Sequence, residues 1–374
     1  MSYHGRFEQA KQPKQPGKKK GLKIFLIVIA VILALLLILA GAAYLYLQSK
    51  LKKMNIIELP KDTYAYTEPT DEVTRPPETE AAQTTEATTE ATVPKMTADD
   101  IINILVVGQA ARAGEESYMA DSTMLVSINT YTKEINCMSV LRDSLVKLPD
   151  YKGHQCGKAK FTVCYNLGHL WGDTAGAMEM TNICLKDNFG VEVDYDVEVS
   201  FDGFIKMIDY IDGVDIELTQ AEADYLNKDT LYVKRTIEPG VQRLQGMEAL
   251  SYARMRKAAG DSESDIKRTE RQRKVVEALL EKFRYMSLSK LNNWVDILMP
   301  MVTTTMTPTD VTKLAAKILP LLPELKIKGY TIPMDGWGDM VDIYENGEIH
   351  SVMRFDTAKE KKLIRAITEA EVSE

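Results

Sequence analysis

Asn103-Ile-Leu-Val-Val107, Thr123-Met-Leu-Val-Ser-Ile-Asn129 and Glu134-Ile-Asn-Cys-Met-Ser-Val-Leu141 decide the fold of this chain. The first is a short apolar run ended by Gly108 and reads as a buried strand. The other two flank the polar turn Thr130 to Lys133 and read as a hairpin. Downstream the period changes: apolar residues fall at helical spacing from Ala175 to Asn188, with Gly190 as the C-cap. Val191 to Ser200 alternates as a strand, and Phe201 to Ile211 is helical again. Beyond Gly246 the pattern is mostly helical, over Met247 to Arg254, Asp265 to Tyr285, Leu288 to Met299 and Asp310 to Leu322. Short strands are expected near Lys326 to Ile332 and Met340 to Tyr344. Strands alternating with helices predict one α/β layered domain over residues 96–374, with no second linker and no internal repeat.

The residues before that domain belong to other environments. From Ile24 to Gln48 there is no charged residue, a length of about 36 Å as a helix, which suits one crossing of a hydrocarbon core about 30 Å thick. Tyr44, Tyr46 and Lys50 stand where a cleavable signal peptide needs a small-x-small site, so the segment reads as a retained anchor. Seven basic residues precede it (Arg6, Lys11, Lys14, Lys18, Lys19, Lys20, Lys23) and three follow closely (Lys50, Lys52, Lys53). That bias predicts a cytoplasmic tail over 1–23, a transmembrane helix over 24–48, and a cell-membrane protein whose main domain is extracellular. Residues 67–92 hold nine Thr, seven Asp/Glu and three Pro without an aromatic residue, so 49–95 reads as a disordered stalk.

Bulk composition excludes some classes. Hydrophobic residues make up 45% and charged residues 27%, which fits neither a disordered polymer nor a many-span membrane protein. The net charge of -8 is sorted: residues 1–53 carry +9, leaving -17 on the rest, which argues against a nucleic-acid partner. Four cysteines, Cys137, Cys156, Cys164 and Cys184, lie beyond the span, where three disulfide pairings or free thiols are open. Their spacing is unlike a zinc site, and no histidine sits in a motif that would activate a cysteine nucleophile.

The informative polar residues are arginines. Tyr252-Ala-Arg254-Met-Arg256 precedes Asp265-Ile-Lys-Arg268-Thr-Glu-Arg271-Gln272. On a helix Asp265, Arg268 and Gln272 share one stripe, with Arg271 a step round. Arg254 and Arg256 point the same way only if the preceding helix ends near Arg254. Leu141-Arg142-Asp143 brings a third source where the hairpin leaves the sheet. Guanidinium groups gathered in an acidic domain suit a bidentate grip on an anion such as phosphate. The plainer alternative is a solvated helix face with internal ion pairs.

At these residues the chain resembles the LytR-CpsA-Psr family of cell-wall ligases. The resemblance runs in order through Asn103 to Gly108, Ala120-Asp121-Ser122, Ser139-Val-Leu-Arg142-Asp143, Phe201-Asp-Gly-Phe204, Asp212-Gly-Val-Asp215, Leu244-Gln-Gly246, Ala249 to Arg256 and Asp265 to Gln272. It implies an α-β-α domain that binds a polyprenyl-pyrophosphate-linked glycopolymer, its lipid in an apolar channel, and passes the glycosyl phosphate to peptidoglycan with help from a divalent cation, Mg or Mn. By the same resemblance Arg142, Asp143 and Asp265 are expected at the catalytic centre. Arg254, Arg256, Arg268, Arg271, Gln272 and Arg112 are expected on the pyrophosphate, and Asp121 on the metal. The lipid channel is expected along Phe204 to Ile211 and Leu279 to Leu291. Two positions depart from the family pattern, Ala110 for an aspartate and Met119 for an arginine, which leaves the cation one carboxylate and implies a slow or altered ligase. A non-catalytic polyprenyl-phosphate or glycan-binding regulator of wall assembly is the alternative. A nucleotide enzyme is remote, since no GxGxxG or GKS/GKT sequence is present.

Overall fold

The structure is a computed structural model. It describes residues 49, 53–59, 96–109, 120–256, 258, 264–287, 290, 293, 297, 299–334, 338–345 and 348–369. The chain divides into two units, Met1–Lys52 and Lys53–Glu374. The expected membrane span, the cytoplasmic tail and residues 60–95 of the expected stalk lie outside the described residues. Among those described, no helix is long and apolar enough to cross a membrane.

Thirteen strands and seven α-helices have described bounds in the second unit. In chain order the strands begin with β1 (Asn55–Ile56), β2 (Ile101–Gln109), β3 (Ala120–Asn129), β4 (Glu134–Val140), β5 (Leu145–Lys147), β6 (Lys158–Lys160) and β7 (Tyr195–Ser200). They continue with β8 (Val214–Leu218), β9 (Gly240–Leu244), β10 (Val302–Thr304), β11 (Lys326–Ile332), β12 (Gly338–Glu345) and β13 (Glu348–Phe355). The helices are α1 (Phe161–Phe189), α2 (Phe201–Tyr210), α3 (Gln220–Lys228), α4 (Gly246–Arg254), α5 (Ser264–Arg284), α6 (Pro308–Ile318) and α7 (Thr357–Thr368).

A seven-stranded mixed sheet runs in the order β1-β10-β7-β2-β3-β4-β11. Its centre is the meander expected from the sequence: Leu105 lies opposite Leu125, and Leu125 opposite Met138. Parallel partners flank it, β7 on β2 and β11 on β4. Because successive strand residues point to opposite faces, the alternation sorts two layers. Leu105, Val107, Leu125, Met138 and Val140 pack with Cys164, Tyr165, Met180, Leu185, Phe189 and Ile364 of α1 and α7. On the other face α5 crosses so closely that a Cβ on Gly329 of β11 would sit 3.1 Å from Glu277 Oε1. Helices therefore cover both faces, in α-β-α order. A second core, with Ile208, Val214, Ile216, Leu226, Tyr252 and Val275, is closed by α2 to α5 over the β8–β9 hairpin.

Three departures from expectation follow from packing. Residues 53–59, assigned by composition to the stalk, instead bring β1 to the sheet edge, where Asn55 and Ile56 pair in parallel with Thr303 and Thr304 and Met54 is buried. The apolar runs expected to line a lipid channel are mostly packed: Ile208 and Leu279 are buried in the second core with Phe204 and Ile211 against it. Among the described residues of these runs only Met207 borders the apolar cavity of about 230 Å³, which is walled by Met54, Val197, Val199, Met301, Met306 and neighbours. Leu291 lies outside the described residues.

Helix α1 is the third. It starts fourteen residues before the expected Ala175, and its period is broken at Gly172 (φ -160°) and Asp173 (φ 56°). The halves meet at glycines: a Cβ on Gly168 would lie 2.5 Å from the Gly176 carbonyl oxygen and 2.7 Å from Ala177 Cα. Backbone cannot yield as a side chain does, so Gly168→Ala is expected to cost about 1–3 kcal/mol in thermal unfolding. Gly157→Ala, with nothing within 4 Å of its Cβ position, serves as the neutral comparison.

Candidate functional site

The site begins where β4 ends. Leu141 donates its amide to Ile332 O at 2.8 Å, and the Arg142 carbonyl accepts from Thr162 at 3.1 Å, so the strand exit is tied to β11 and to the start of α1. Arg142 Nε then lies 3.4 Å from Asp265 Oδ1, and Arg268 Nη2 lies 2.8 Å from the same oxygen. Asp265 occupies the first turn of α5, where a carboxylate also meets the positive end of the helix. Its Oδ2 is buried without a hydrogen-bond partner among the described residues.

Across from this group, α4 ends at Arg254 and Met255 is extended (φ -61°, ψ 121°). Extended backbone sends Arg254 and Arg256 to one side, as the sequence predicts. With Arg268 and Gln272, one turn apart on α5, they line a chamber of about 200 Å³. The Arg254 guanidinium is held over the Phe201 ring at 5.1 Å and donates to the Tyr232 hydroxyl at 3.2 Å. A second chamber of about 410 Å³ shares Arg254 and Arg256 but is otherwise lined by Tyr225, Asp229, Tyr232 and Ser251. There the Ser251 hydroxyl donates to Asp229 Oδ2 at 2.5 Å.

The turn between the two arginines is fixed from below. Arg271, 4% exposed, donates from Nε to Glu222 Oε1 at 2.8 Å and from Nη1 to the Met255 carbonyl at 3.2 Å. Glu222 is as buried, and its other oxygen accepts from the Thr219 amide in a capping box at the start of α3. Burial alone would raise its pKa, but the Thr219 amide and the Arg271 guanidinium outweigh it and hold the carboxyl below its ordinary value. Above it, burial and the Glu222 charge push the Tyr252 hydroxyl up.

Arg142, Arg254, Arg256, Arg268, Gln272 and Asp265 are thus brought into one connected group. Arg271 adjoins it but faces elsewhere, whereas Asp143 stands at its edge with Oδ2 3.7 Å from Arg142 Nε. Arg271 is turned into the Glu222 pair, while Asp143 takes Lys160 at 2.7 Å and its backbone carbonyl accepts from Met353 at 2.8 Å. Arg112, Ala110 and Met119 lie outside the described residues, as does the Asp121 side chain. Among the described residues no group of three or more His, Cys, Asp or Glu is arranged to hold a metal ion. Sequence reasoning missed Lys160, Tyr232 and Glu222. Only Glu222 carried a readable signal, the Thr219-x-x-Glu capping box.

The profile of the LytR_cpsA_psr family matches residues 63–362. Among curated relatives, Regulatory protein MsrR of Staphylococcus aureus is 34% identical over 183 residues, 48% of this chain and 49% of its own length. Biofilm regulatory protein A of Streptococcus mutans is 28% identical over 47% of this chain and 41% of its own. The polyisoprenyl-teichoic acid–peptidoglycan teichoic acid transferase TagT of Bacillus subtilis is 30% identical over 53% of this chain and 57% of its own. The chain spans about half the length of these relatives. Among solved structures, TagT bound to LIIa-WTA has TM-score 0.56 at 23% identity, covering 74% of this chain and 94% of that one. Protein gbs0355 of Streptococcus agalactiae has TM-score 0.59 at 24% identity, covering 72% and 88%. The sheet with helices on both faces agrees with these solved folds, and the profile covers most of the chain, which belongs to the LytR-CpsA-Psr family.

Proposed function

We propose that this chain is a membrane-anchored, extracellular phosphotransferase that moves a glycopolymer from a polyprenyl pyrophosphate carrier to peptidoglycan. One observation carries the reading: the chamber lined by Arg254, Arg256, Arg268 and Gln272, with Arg142 joined to it through Asp265. A pyrophosphate is the anion whose size and charge suit several converging guanidinium forks. Relatives support the reading, since TagT carries the transferase name and YwtF (TagT) was solved with bound octaprenyl pyrophosphate lipid.

In the reaction a sugar hydroxyl of the wall attacks the glycosyl phosphorus. The new P–O bond forms as the bridging P–O bond breaks, and polyprenyl phosphate leaves. Charge gathers on non-bridging oxygens, where Arg254 and Arg268 stabilise it without reorganising, because Phe201 and Tyr232 already hold the first and Asp265 the second. We assign the hydroxyl proton to Asp265 Oδ2, the oxygen not paired with an arginine. The hydroxyl-lined second chamber, with Tyr225, Asp229 and Ser251, suits the sugar next to the phosphate. A divalent cation would add positive charge at the phosphates.

Purified protein incubated with a lipid-pyrophosphate glycan, a peptidoglycan acceptor and Mg or Mn tests the proposal. Transfer or hydrolysis product supports it, and tight binding without product favours the regulator reading that the names of MsrR and Biofilm regulatory protein A carry. Arg256→Lys keeps the charge and loses the fork, so calorimetric titration with geranyl pyrophosphate should show binding weakened by about 1–3 kcal/mol with the fold unchanged.

A further inference from the structure

The α1 face of the sheet gathers three of the four cysteines. Cys164 and Cys184 are fully buried in the first core, with Cys156 packed against it. Cys137 points to the opposite face, beside Glu277 and Arg273 of α5, where burial first and the Glu277 charge second push its thiol up to about 12. The sheet itself separates Cys137 from the rest.

Cys164 and Cys184 belong to one helix in sequence but to its two halves in space. The break at Gly172 and Asp173 folds the halves against each other, so that Gly168 and Gly176 touch backbone to backbone. Cys164 lies one turn before Gly168 and Cys184 two turns after Gly176. Cys164 Sγ is 3.2 Å from the Met180 carbonyl oxygen, the atom that in a helix accepts the amide of residue 184. Helical side chains tilt toward the N-terminus, which leans the Cys184 thiol over that same turn and toward Cys164. On its other side Cys184 Sγ is 3.4 Å from Asn188 Nδ2. Burial and then the neighbouring Cys184 raise the Cys164 thiol well above its ordinary range.

We infer that Cys164 and Cys184 form a disulfide that closes α1 across its break when the protein folds with a disulfide oxidant, while Cys137 and Cys156 stay thiols. All four are thiols in the structure described above. The step balances with glutathione disulfide: one Cys164 thiolate displaces a glutathione thiolate and forms a mixed disulfide. Cys184 then attacks the Cys164 sulfur and releases the second glutathione. The two cysteines lose two electrons and two protons, and glutathione disulfide gains them. A bridge of this reach needs Cβ atoms about 3.5–4.5 Å apart, a separation that facing helix turns in glycine-mediated contact can supply.

The test uses the full chain in detergent, unfolded and refolded in a series of reduced and oxidised glutathione ratios so that burial does not limit access. It is then denatured, alkylated without reductant and mapped by mass spectrometry. The expected result is one linked peptide pair joining Cys164 to Cys184, with Cys137 and Cys156 alkylated. Reduction should lower Tm by about 5–10 °C in wild type and in Cys137→Ala, and leave Tm unmoved in Cys164→Ala and Cys184→Ala. Four alkylated cysteines at every ratio, or a link through Cys137 or Cys156, overturns the inference.

Discussion

Arg271→Met should lose about 3–5 kcal/mol of stability, because it strands the Glu222 carboxylate in a site with 5% exposure. It should also free the Met255 carbonyl that Arg271 holds, and so loosen the turn that aims Arg254 and Arg256. Replacing both partners, Glu222→Gln with Arg271→Met, should recover much of the loss, since the uncompensated charge is gone. The pH dependence carries the sign. In wild type the Glu222 carboxyl is held below its unfolded value of about 4.3, so its contribution is complete above that pH and is lost as pH falls through the folded value. Without Arg271 the opposing burial effect is less offset, and stability of the variant should rise less with pH, or fall, over the same interval. Urea unfolding at several pH values from 3.5 to 7 measures both chains; parallel profiles would show that Arg271 is not what lowers the carboxyl.

Arg268→Lys should cut turnover by about 10²–10³-fold, the loss typical of removing one positioned donor to transition-state charge. Arg268 is 3% exposed, and the fork that reaches Asp265 also forms a wall of the chamber shared with Arg254, Arg256 and Gln272. Lysine keeps one charge but cannot do both. Arg256 is exposed, so its replacement should act on ligand binding more than on rate. Steady-state kinetics of the two variants separates these roles; a rate for Arg268→Lys within about threefold of wild type removes Arg268 from the reaction.

The sheet centre was legible because its strands are short apolar runs closed by Gly108 and by the polar turn Thr130 to Lys133: 103–107 lies within β2, and 123–129 and 134–141 nearly coincide with the paired parts of β3 and β4. Lys326 to Ile332 is β11 residue for residue. Long amphipathic helices were also readable, α5 to within a residue at each end. Short polar elements were not. The β8–β9 hairpin is joined by a 21-residue excursion containing α3, so its partners lie too far apart for local pairing to show. β1 has only two residues, and its place depends on β10, far along the chain. In the site, the arginines could be found from their spacing, and their convergence followed from the helix end at Arg254. What spacing could not show was direction: Arg271 lies next to Gln272 in sequence yet turns into the core, because Glu222 arrives from a different helix.

The placement of β1 changes what the Thr- and Glu-rich segment is for. Leu59, just after β1, and Met96, just before β2, both belong to the described domain, so the chain between them begins and ends on the same unit. Closing such a loop costs entropy that grows only logarithmically, about 0.6 kcal/mol for each doubling of its length. Insertions, deletions and wholesale rewriting of this segment are therefore nearly invisible to folding selection. The seven residues 53–59 have no such latitude, because a shift of one residue would take Met54 out of its buried place and leave β10 with the wrong partners.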